Sequence, residues 1–259
     1  GSGFDGIDAS SANTTTLRSA GNLTLQGYSY AASGSGRGVD LNNDVIAASG
    51  TVSMTGQHNT GATYALSLSG STSITAGTGV TLESLNNNTG TIALLSSGGI
   101  NGGSGTVLMR AANYAFGGAD RTITTTGVLT IQPDADENSF ASSFDNQYLN
   151  PVNVTGLTLG KSSNASAITL SRAISLSGPV SIYGGSIDVN ANITANSGNI
   201  LLDADTGSTL NQSSTGILLD DAITIETVTS GNLTLIGRSG DTGSGFDGID
   251  ASSANTTTL

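Results

Sequence analysis

The chain begins and ends with the same seventeen residues. Residues 1–17, GSGFDGIDASSANTTTL, return unchanged as residues 243–259, so residues 1–242 make one full period. Internal repetition at a fixed period is typical of arrays in which each copy packs against the next. A period this long is more than one supersecondary unit, so each copy must be a domain or a stack of smaller units. We therefore expect residues 1–242 to form one copy and residues 243–259 to start the next.

Short stretches in which aliphatic and small polar residues alternate recur along the chain. Each stretch places two aliphatic side chains on one face, and Gly, Asn or Ser separates it from the next stretch. A period of two predicts β-strands, and most of the stretches have no helical pattern between them, so we expect an all-β protein. The predicted strands lie within residues 23–25, 52–54, 64–68, 72–74, 80–82, 92–94, 107–109, 129–131, 157–159, 168–170, 174–176, 180–182 and 187–189.

Composition decides between two all-β architectures. A β-sandwich usually has longer strands and an aromatic core, whereas aromatic residues make up only 4% of this chain and Trp is absent. A thin stack of short strands needs only small aliphatic side chains inside, with Gly and Asn at its corners. The sequence therefore predicts a parallel β-helix, or β-solenoid, built from three-strand coils of about 20 to 24 residues.

We expect the two copies to form one uninterrupted stack. Residue 243 would then continue directly from residue 242, and about ten to twelve coils at ~4.8 Å each would add roughly 50 Å per copy. A shorter likeness supports stacking of coil-sized units. GSGFDGID at 243–250 resembles GSGRGVD at 34–40, and in a continued array these segments would be separated by one coil-sized unit.

Residues 133–153 interrupt the strand pattern. Phe140, Phe144 and Tyr148 are spaced at i, i+4 and i+8, which would place them on one face of a short helix. We predict a lateral loop or short helix inserted at the side of the stack. Its aromatic face would either pack on the solenoid or contact a binding partner.

The same segment contains a candidate calcium site. Its acidic and amide side chains match positions 1, 3, 5 and 12 of an EF-hand-type loop, and oxygen ligands at that spacing can surround a calcium ion. Acidic residues also suit the first turn of a helix, where the helix dipole favours them, so two interpretations stay open. The candidate ligands are Asp134, Asp136, Asn138 and Asp145.

The repeated opening segment contains a second candidate calcium site. Residues 1–7 match part of the calcium-binding nonapeptide pattern through Asp5, and residues 243–249 match it again through Asp247. In such β-rolls successive turns each supply half of a site, so a single match lacks its partner turn. The alternative is a Gly-rich corner that leads into a strand. Calcium is therefore a candidate ligand, and no cofactor is required.

Charge and the scarcity of reactive residues exclude several functions. Seven basic and nineteen acidic residues give a net charge of −12, which repels nucleic acid and anionic membrane surfaces. No stretch approaches the 18 or so apolar residues of a membrane span, so we expect no membrane insertion in this segment. The chain has no Cys, and its only histidine, His58, is predicted to lie on the surface. We do not expect an enzyme.

Two stretches resemble a known family. GPVSIYGGSIDVNANITANSGNILLDADTG at 178–207 and SGNLTL at 230–235 are similar to the β-helical repeats of filamentous-haemagglutinin-like bacterial surface exoproteins and adhesins. The resemblance implies a secreted, extracellular or cell-surface protein that forms a long right-handed β-helix. It also implies a role in adhesion, biofilm matrix or contact between cells.

These observations favour a structural role. We expect the chain to be a repeat of a giant extracellular fibre or surface stalk, a stiff rod whose partners are the neighbouring copies. The alternative is an adhesive binding module that recognises a glycan or another fibre, with or without calcium. Lateral contacts between fibres belong to both interpretations.

Overall fold

The computed structural model describes residues 5–9, 14–30, 36–58, 64–85, 90–95, 98–204, 215–239, 247–251 and 258. Within these residues every regular element is a β-strand, so the all-β prediction is confirmed. The same residues contain no helix with the length and hydropathy needed to cross a membrane. The chain divides into two compact units, Gly1–Glu137 with Tyr148–Val154, and Asn138–Gln147 with Thr155–Leu259.

The first unit contains three sheets. Successive strands along the chain belong to successive sheets, so each strand pairs in parallel with the third strand after it. The first sheet contains β1 (Ile7–Ala9), β4 (Val39–Asn42), β7 (Leu66–Ser69), β10 (Thr91–Leu94) and β13 (Asn113–Phe116). The second contains β2 (Thr16–Ser19), β5 (Val45–Ala48), β8 (Ser73–Ala76), β11 (Ile100–Asn101), β14 (Arg121–Thr124) and β17 (Leu149–Val152). The third contains β3 (Leu23–Ser29), β6 (Val52–His58), β9 (Val80–Ser84), β12 (Val107–Arg110) and β15 (Val128–Gln132).

The second unit repeats this arrangement. One sheet contains β16 (Phe144–Asp145), β19 (Ile168–Leu170), β22 (Ile187–Val189), β25 (Ile217–Leu219) and β28 (Ile249–Asp250). Another contains β20 (Ile174–Leu176), β23 (Ile193–Ser197) and β26 (Ile225–Ser230). The remaining strands of this unit are β18 (Gly156–Leu159), β21 (Val180–Tyr183), β24 (Ile200–Ala204) and β27 (Leu233–Gly237). Parallel pairing of every third strand is the topology of a β-solenoid, as predicted; its handedness stays a prediction.

Columns of aliphatic side chains form the core of each unit. Alternate residues of a strand point inward, and the parallel register places them above their counterparts in the next coil. Each fully buried side chain of this size contributes about 1.5–3 kcal/mol. In the third sheet of the first unit two such columns, all with 1% exposure or less, are Val52–Val80–Val107–Leu129 and Met54–Leu82–Met109–Ile131.

Coil length varies more than the sequence suggested. Few residues separate the stacked partners Ile168 and Ile187 in the sequence, but many more separate Ile200 and Leu233. The predicted range of coil lengths was too narrow, because the segments between strands differ in length while the strands stay in register. The segments that contain Asp8 and Asp40 resemble each other and were predicted to lie one coil apart. Asp8 pairs with Asp40 in the next coil, as that prediction requires.

Asparagine side chains join successive coils at the corners. There the backbone N–H groups lie outside the ladders, and an amide oxygen from the preceding coil accepts from them. This use explains why Asn is frequent between the strands. The acceptor and donor pairs are Asn22 with Thr51, Asn43 with Ser71, Asn146 with Arg172, Asn192 with Thr224 and Asn199 with Asn232, at 2.8–2.9 Å.

Glycine allows two backbone segments to approach closely at the corner that follows the third sheet of the first unit. Gly27 and Gly56 pair in register near the ends of β3 and β6. A Cβ atom on Gly27 would lie 1.9 Å from the carbonyl oxygen of Gly38, and one on Gly56 would lie 2.2 Å from that of Ala65. No real Cβ contact is that short, so only glycine fits at this corner.

Residues 133–153 form a loop and two short strands. The helical alternative is wrong, because this fully described segment contains no helix. Phe144 begins β16, which pairs with β19, and residues 149–152 form β17, which pairs with β14. Spacings of i and i+4 therefore do not place these aromatic residues on a helix face, because backbone pairing with neighbouring coils determines the conformation.

The glycine corner yields a stability prediction. Gly56→Ala should lower the free energy of unfolding by about 2 kcal/mol or more, because the new methyl group meets a backbone oxygen that cannot move without breaking the ladder. Gly21→Ala is the matched control, since a Cβ there has no described neighbour within 4 Å. Urea unfolding followed by circular dichroism measures both. Equal effects of the two substitutions would contradict the close packing.

Candidate functional site

The coil that begins each copy is seen in two different surroundings. In the first copy β1 pairs with the coil that follows it, with Ile7 opposite Val39. In the second copy the same residues form β28, which pairs with the coil that precedes it, with Ile249 opposite Ile217. Taken together, the two copies show a backbone partner on each edge of this strand.

Backbone hydrogen bonds attach the second copy to the preceding coil. The amides of Gly216, Ile217 and Ile225 donate to the carbonyl oxygens of Asp247, Gly248 and Thr258, at 3.0, 2.9 and 3.0 Å. Two of these bonds lie at the start of β25, and the third lies at the start of β26. The described residues of the second copy therefore form parallel backbone bonds with the strands β25 and β26 of the second unit.

A group of carboxylates lies on the first two coils of the first unit. One carboxylate oxygen from each of Asp5, Asp8 and Asp40 lies within 4.8 Å of the other two. It is the only group of three or more such acidic, His or Cys ligands in the part of the chain that the structure describes. Asp5 and Asp8 belong to the coil of β1, and Asp40 lies in β4 directly opposite Asp8. The parallel register thus brings together residues that are one coil apart in the sequence.

Arg37 is the cation that contacts this acidic cluster. Its backbone amide donates to Asp5 Oδ1, and its guanidinium donates to Asp40 Oδ2. The guanidinium also lies 5.6 Å from the centre of the Tyr64 ring and 3.5 Å from the Ser67 hydroxyl. One positive charge, held by these contacts, thus lies beside Asp40.

Asp40 and Asp5 differ in their surroundings. Asp40 is only 4% exposed, and its Oδ1 atom is buried without a hydrogen-bond partner among the described residues. Asp5 is half-buried, and burial raises the pKa of its carboxyl group. The negative charges of Asp40 and Asp8 raise that pKa further, against the lowering effect of the Arg37 backbone N–H. The cluster therefore holds its negative charge at a cost in free energy.

The EF-hand-like residues are divided between the two units. Asp134 and Asp136 belong to the first unit, and Asn138 and Asp145 to the second. Asp134 is buried, whereas Asp136, Asn138 and Asp145 are exposed. The carboxylate of Asp145 accepts from the Gln147 amide at 2.9 Å and from the Ser171 hydroxyl at 3.1 Å. Calcium binding by this set stays a prediction.

The aromatic residues Phe140, Phe144 and Tyr148 of residues 133–153 are also divided between the two units. Phe140 and Phe144 are each 4% exposed, and their rings stack with centroids 5.6 Å apart. They pack in the interior of the second unit, so of the two predicted roles the structure favours packing for this pair. Tyr148 is half-buried and belongs to the first unit.

Sequence reasoning missed two members of the acidic cluster and the arginine that contacts it, and it misplaced one other residue. Asp5 was a candidate ligand, but its neighbours Asp8, Asp40 and Arg37 were not. The likeness of GSGFDGID to GSGRGVD was the signal that could have found them, because it aligns Asp8 with Asp40. His58 is 4% exposed at the end of β6, so the expected surface position was wrong. Asp247 is exposed, and its described contact is through its backbone oxygen.

Comparison of the chain with protein-family models, with curated proteins and with solved structures finds no match.

Burial of Asp134 predicts an unusual pH dependence. Burial raises the pKa of this carboxyl group above its ordinary value of 3.8, although hydrogen bonds from the backbone N–H groups of Asp136 and Ala135 oppose it. The charges of Asp136 and Glu83 raise that pKa further. Above the raised pKa both folded and unfolded states carry the charge, so its burial costs stability. As pH falls through the raised pKa the folded state takes up a proton and that cost disappears.

Asp134→Asn should therefore be more stable than the unaltered chain at pH 7, because an amide keeps an acceptor oxygen but has no charge to bury. The advantage should shrink as pH falls and vanish below about 3.8. Urea midpoints at several pH values measure this difference. Asp247→Asn, at an exposed position whose described contact is through its backbone oxygen, is the control. An equal or lower stability of Asp134→Asn at pH 7 would contradict the prediction.

Proposed function

We propose that this chain is a structural repeat of an extracellular fibre or surface stalk, in which tandem copies stack into one continuous β-solenoid. The observation that carries the proposal is the double pairing of the copy's first strand. That strand pairs with the following coil as β1 and with the preceding coil as β28. A strand with a backbone partner on each edge belongs inside a stack rather than at a linker between separate domains.

The register of β24 and β27 supports a position for the third strand of the coil that would join two copies. Asn199 accepts from the amide of Asn232, and the following residues of β24 and β27 pair from Ile200 and Leu233 onward. GNLTL at 231–235 recurs at 21–25. In a continued array Asn232 would accept from the amide of the next copy's Asn22, and β27 would pair with the next copy's β3.

The last coil has an apolar surface that such stacking would cover. Leu233 and Leu235 point inward on β27 but are only half-buried, whereas their partners Ile200 and Leu202 on β24 are fully buried. At the start of the chain Leu23 and its neighbour two residues on, in β3, are half-buried in the same way. Two incomplete apolar ends of matching register favour contact between one copy and the next.

The proposed role is mechanical. Stiffness would come from backbone ladders that run along the stack, with aliphatic columns inside and Asn side chains at the corners. The net charge of −12 would keep neighbouring fibres apart in solution. The resemblance to bacterial surface exoproteins supports an extracellular location and a function in adhesion or matrix assembly.

Hydrogen exchange tests the attachment of the second copy. In the 259-residue chain the amides of Gly216, Ile217 and Ile225 should be protected, because they donate to residues of the second copy. In a chain that ends at residue 242 these three amides should exchange at least tenfold faster. The amide of Ile168, which donates to Ser186, should stay protected in both chains and so reports an intact fold. Unchanged protection of Ile217 after truncation would contradict the stacking.

A longer chain tests the continuous fibre. A protein with two complete copies should appear in electron micrographs as a straight rod longer than the single copy by roughly 40–50 Å, since about nine coils at ~4.8 Å each separate equivalent residues. Insertion of a flexible Gly/Ser segment between the copies provides the control. A hinge at the boundary of the uninterrupted protein would support separate domains instead.

A further inference from the structure

We propose that Asp5, Asp8 and Asp40 bind one divalent cation, with calcium preferred, between the first and second coils of a copy. The site in this chain is independent of the proposed fibre. Only the expectation that every copy boundary carries such an ion rests on that function.

The spacing of the carboxylates suits calcium. Calcium binds oxygen ligands at about 2.3–2.6 Å, so two ligands on opposite sides of the ion are about 5 Å apart. One oxygen from each of the three residues lies within 4.8 Å of the other two, so all three can reach one calcium ion with little movement. Magnesium demands near-ideal octahedral geometry and gives up its water reluctantly, so a site made of protein carboxylates suits calcium better.

The buried oxygen of Asp40 is a second, independent observation. Asp40 is more than nine-tenths buried, and its Oδ1 has no hydrogen-bond partner among the described residues although Oδ2 is bound by Arg37. A buried carboxylate oxygen without a partner is costly. A cation held between Asp40 and the two carboxylates of the preceding coil would supply the missing interaction.

The charge of the cluster also favours a cation. Three carboxylates and one guanidinium leave a net charge of −2, which one divalent ion would neutralise. Arg37 does not remove this excess, because its side chain is held by Asp40, Ser67 and Tyr64. The ion would also join two successive coils, since Asp5 and Asp8 lie on one and Asp40 on the other.

The chain contains the same opening residues in a second setting that lacks the third ligand. Asp247 and Asp250 correspond to Asp5 and Asp8, but Asp250 lies opposite Leu218 of the preceding coil. The coil that would bring the counterpart of Asp40 comes later in the repeat. Of the two opening segments in the 259-residue chain, only the first should therefore bind calcium, and the C-terminal one is an internal control.

Isothermal titration calorimetry with calcium chloride tests the site in the 259-residue chain. We expect one ion per chain, with affinity in the range of extracellular calcium modules, about 10⁻⁴–10⁻³ M. Asp40→Asn should weaken binding at least tenfold. Asp8→Asn should do the same, and because Asp8 is exposed this variant keeps the test decisive if Asp40→Asn fails to fold. Asp250→Asn is the matched control and should change the affinity less than twofold.

Several results would overturn the proposal. These are no binding up to about 5 mM calcium, an equal loss of affinity in Asp250→Asn, or unchanged affinity in Asp8→Asn. A chain extended until the second copy includes its own counterpart of Asp40 should bind two ions, and a single ion there would count against recurrence at boundaries. Protection of the Ile217 amide is measured separately, so failure of the cation site and failure of the stacked array give different results.

Discussion

Parallel pairing of each strand with the third strand after it is the constraint on which the rest of this structure depends. Side chains along a strand alternate between inside and outside, so a slip of one residue would turn every aliphatic column outward. The register must therefore be kept while coils differ in length, from the short step between Ile168 and Ile187 to the long one between Ile200 and Leu233. The strands preserve the register, and the variable segments between them accommodate the difference.

The corners hold the register in two complementary ways. At some corners an Asn side chain accepts from the amide of the next coil, as Asn199 does from Asn232. Where β3 and β6 end, Gly27 and Gly56 let backbones approach so closely that any side chain would collide with a carbonyl oxygen. The first device adds a hydrogen bond between coils, and the second leaves no room for a shifted neighbour. A composition rich in Asn and Gly is thus part of how the fold is specified.

The sequence allowed much of the fold to be predicted, because period-two stretches report strands directly. Each of the thirteen predicted stretches overlaps an observed strand, whereas strands such as β16, with only two residues, have too little pattern to find. The helical alternative around Phe140 was wrong, because the aromatic residues have helical spacing but the backbone pairs with neighbouring coils instead. The acidic cluster was out of reach because it depends on which residue of one coil lies opposite Asp8 of another. Sequence likeness suggested that partner, but only the register shows it to be Asp40.

The exact repetition of the first seventeen residues has a consequence for how long such a protein can be. In an array of identical copies, any two positions separated by one whole period occupy the same place in the same coil. Removal or duplication of one whole period therefore joins residues that already suit each other, wherever in the copy the break falls. Ladders, corners and acidic clusters on both sides of the join would be those of an unaltered chain. Length becomes a property that can change by whole periods without any change in the packing that determines the fold.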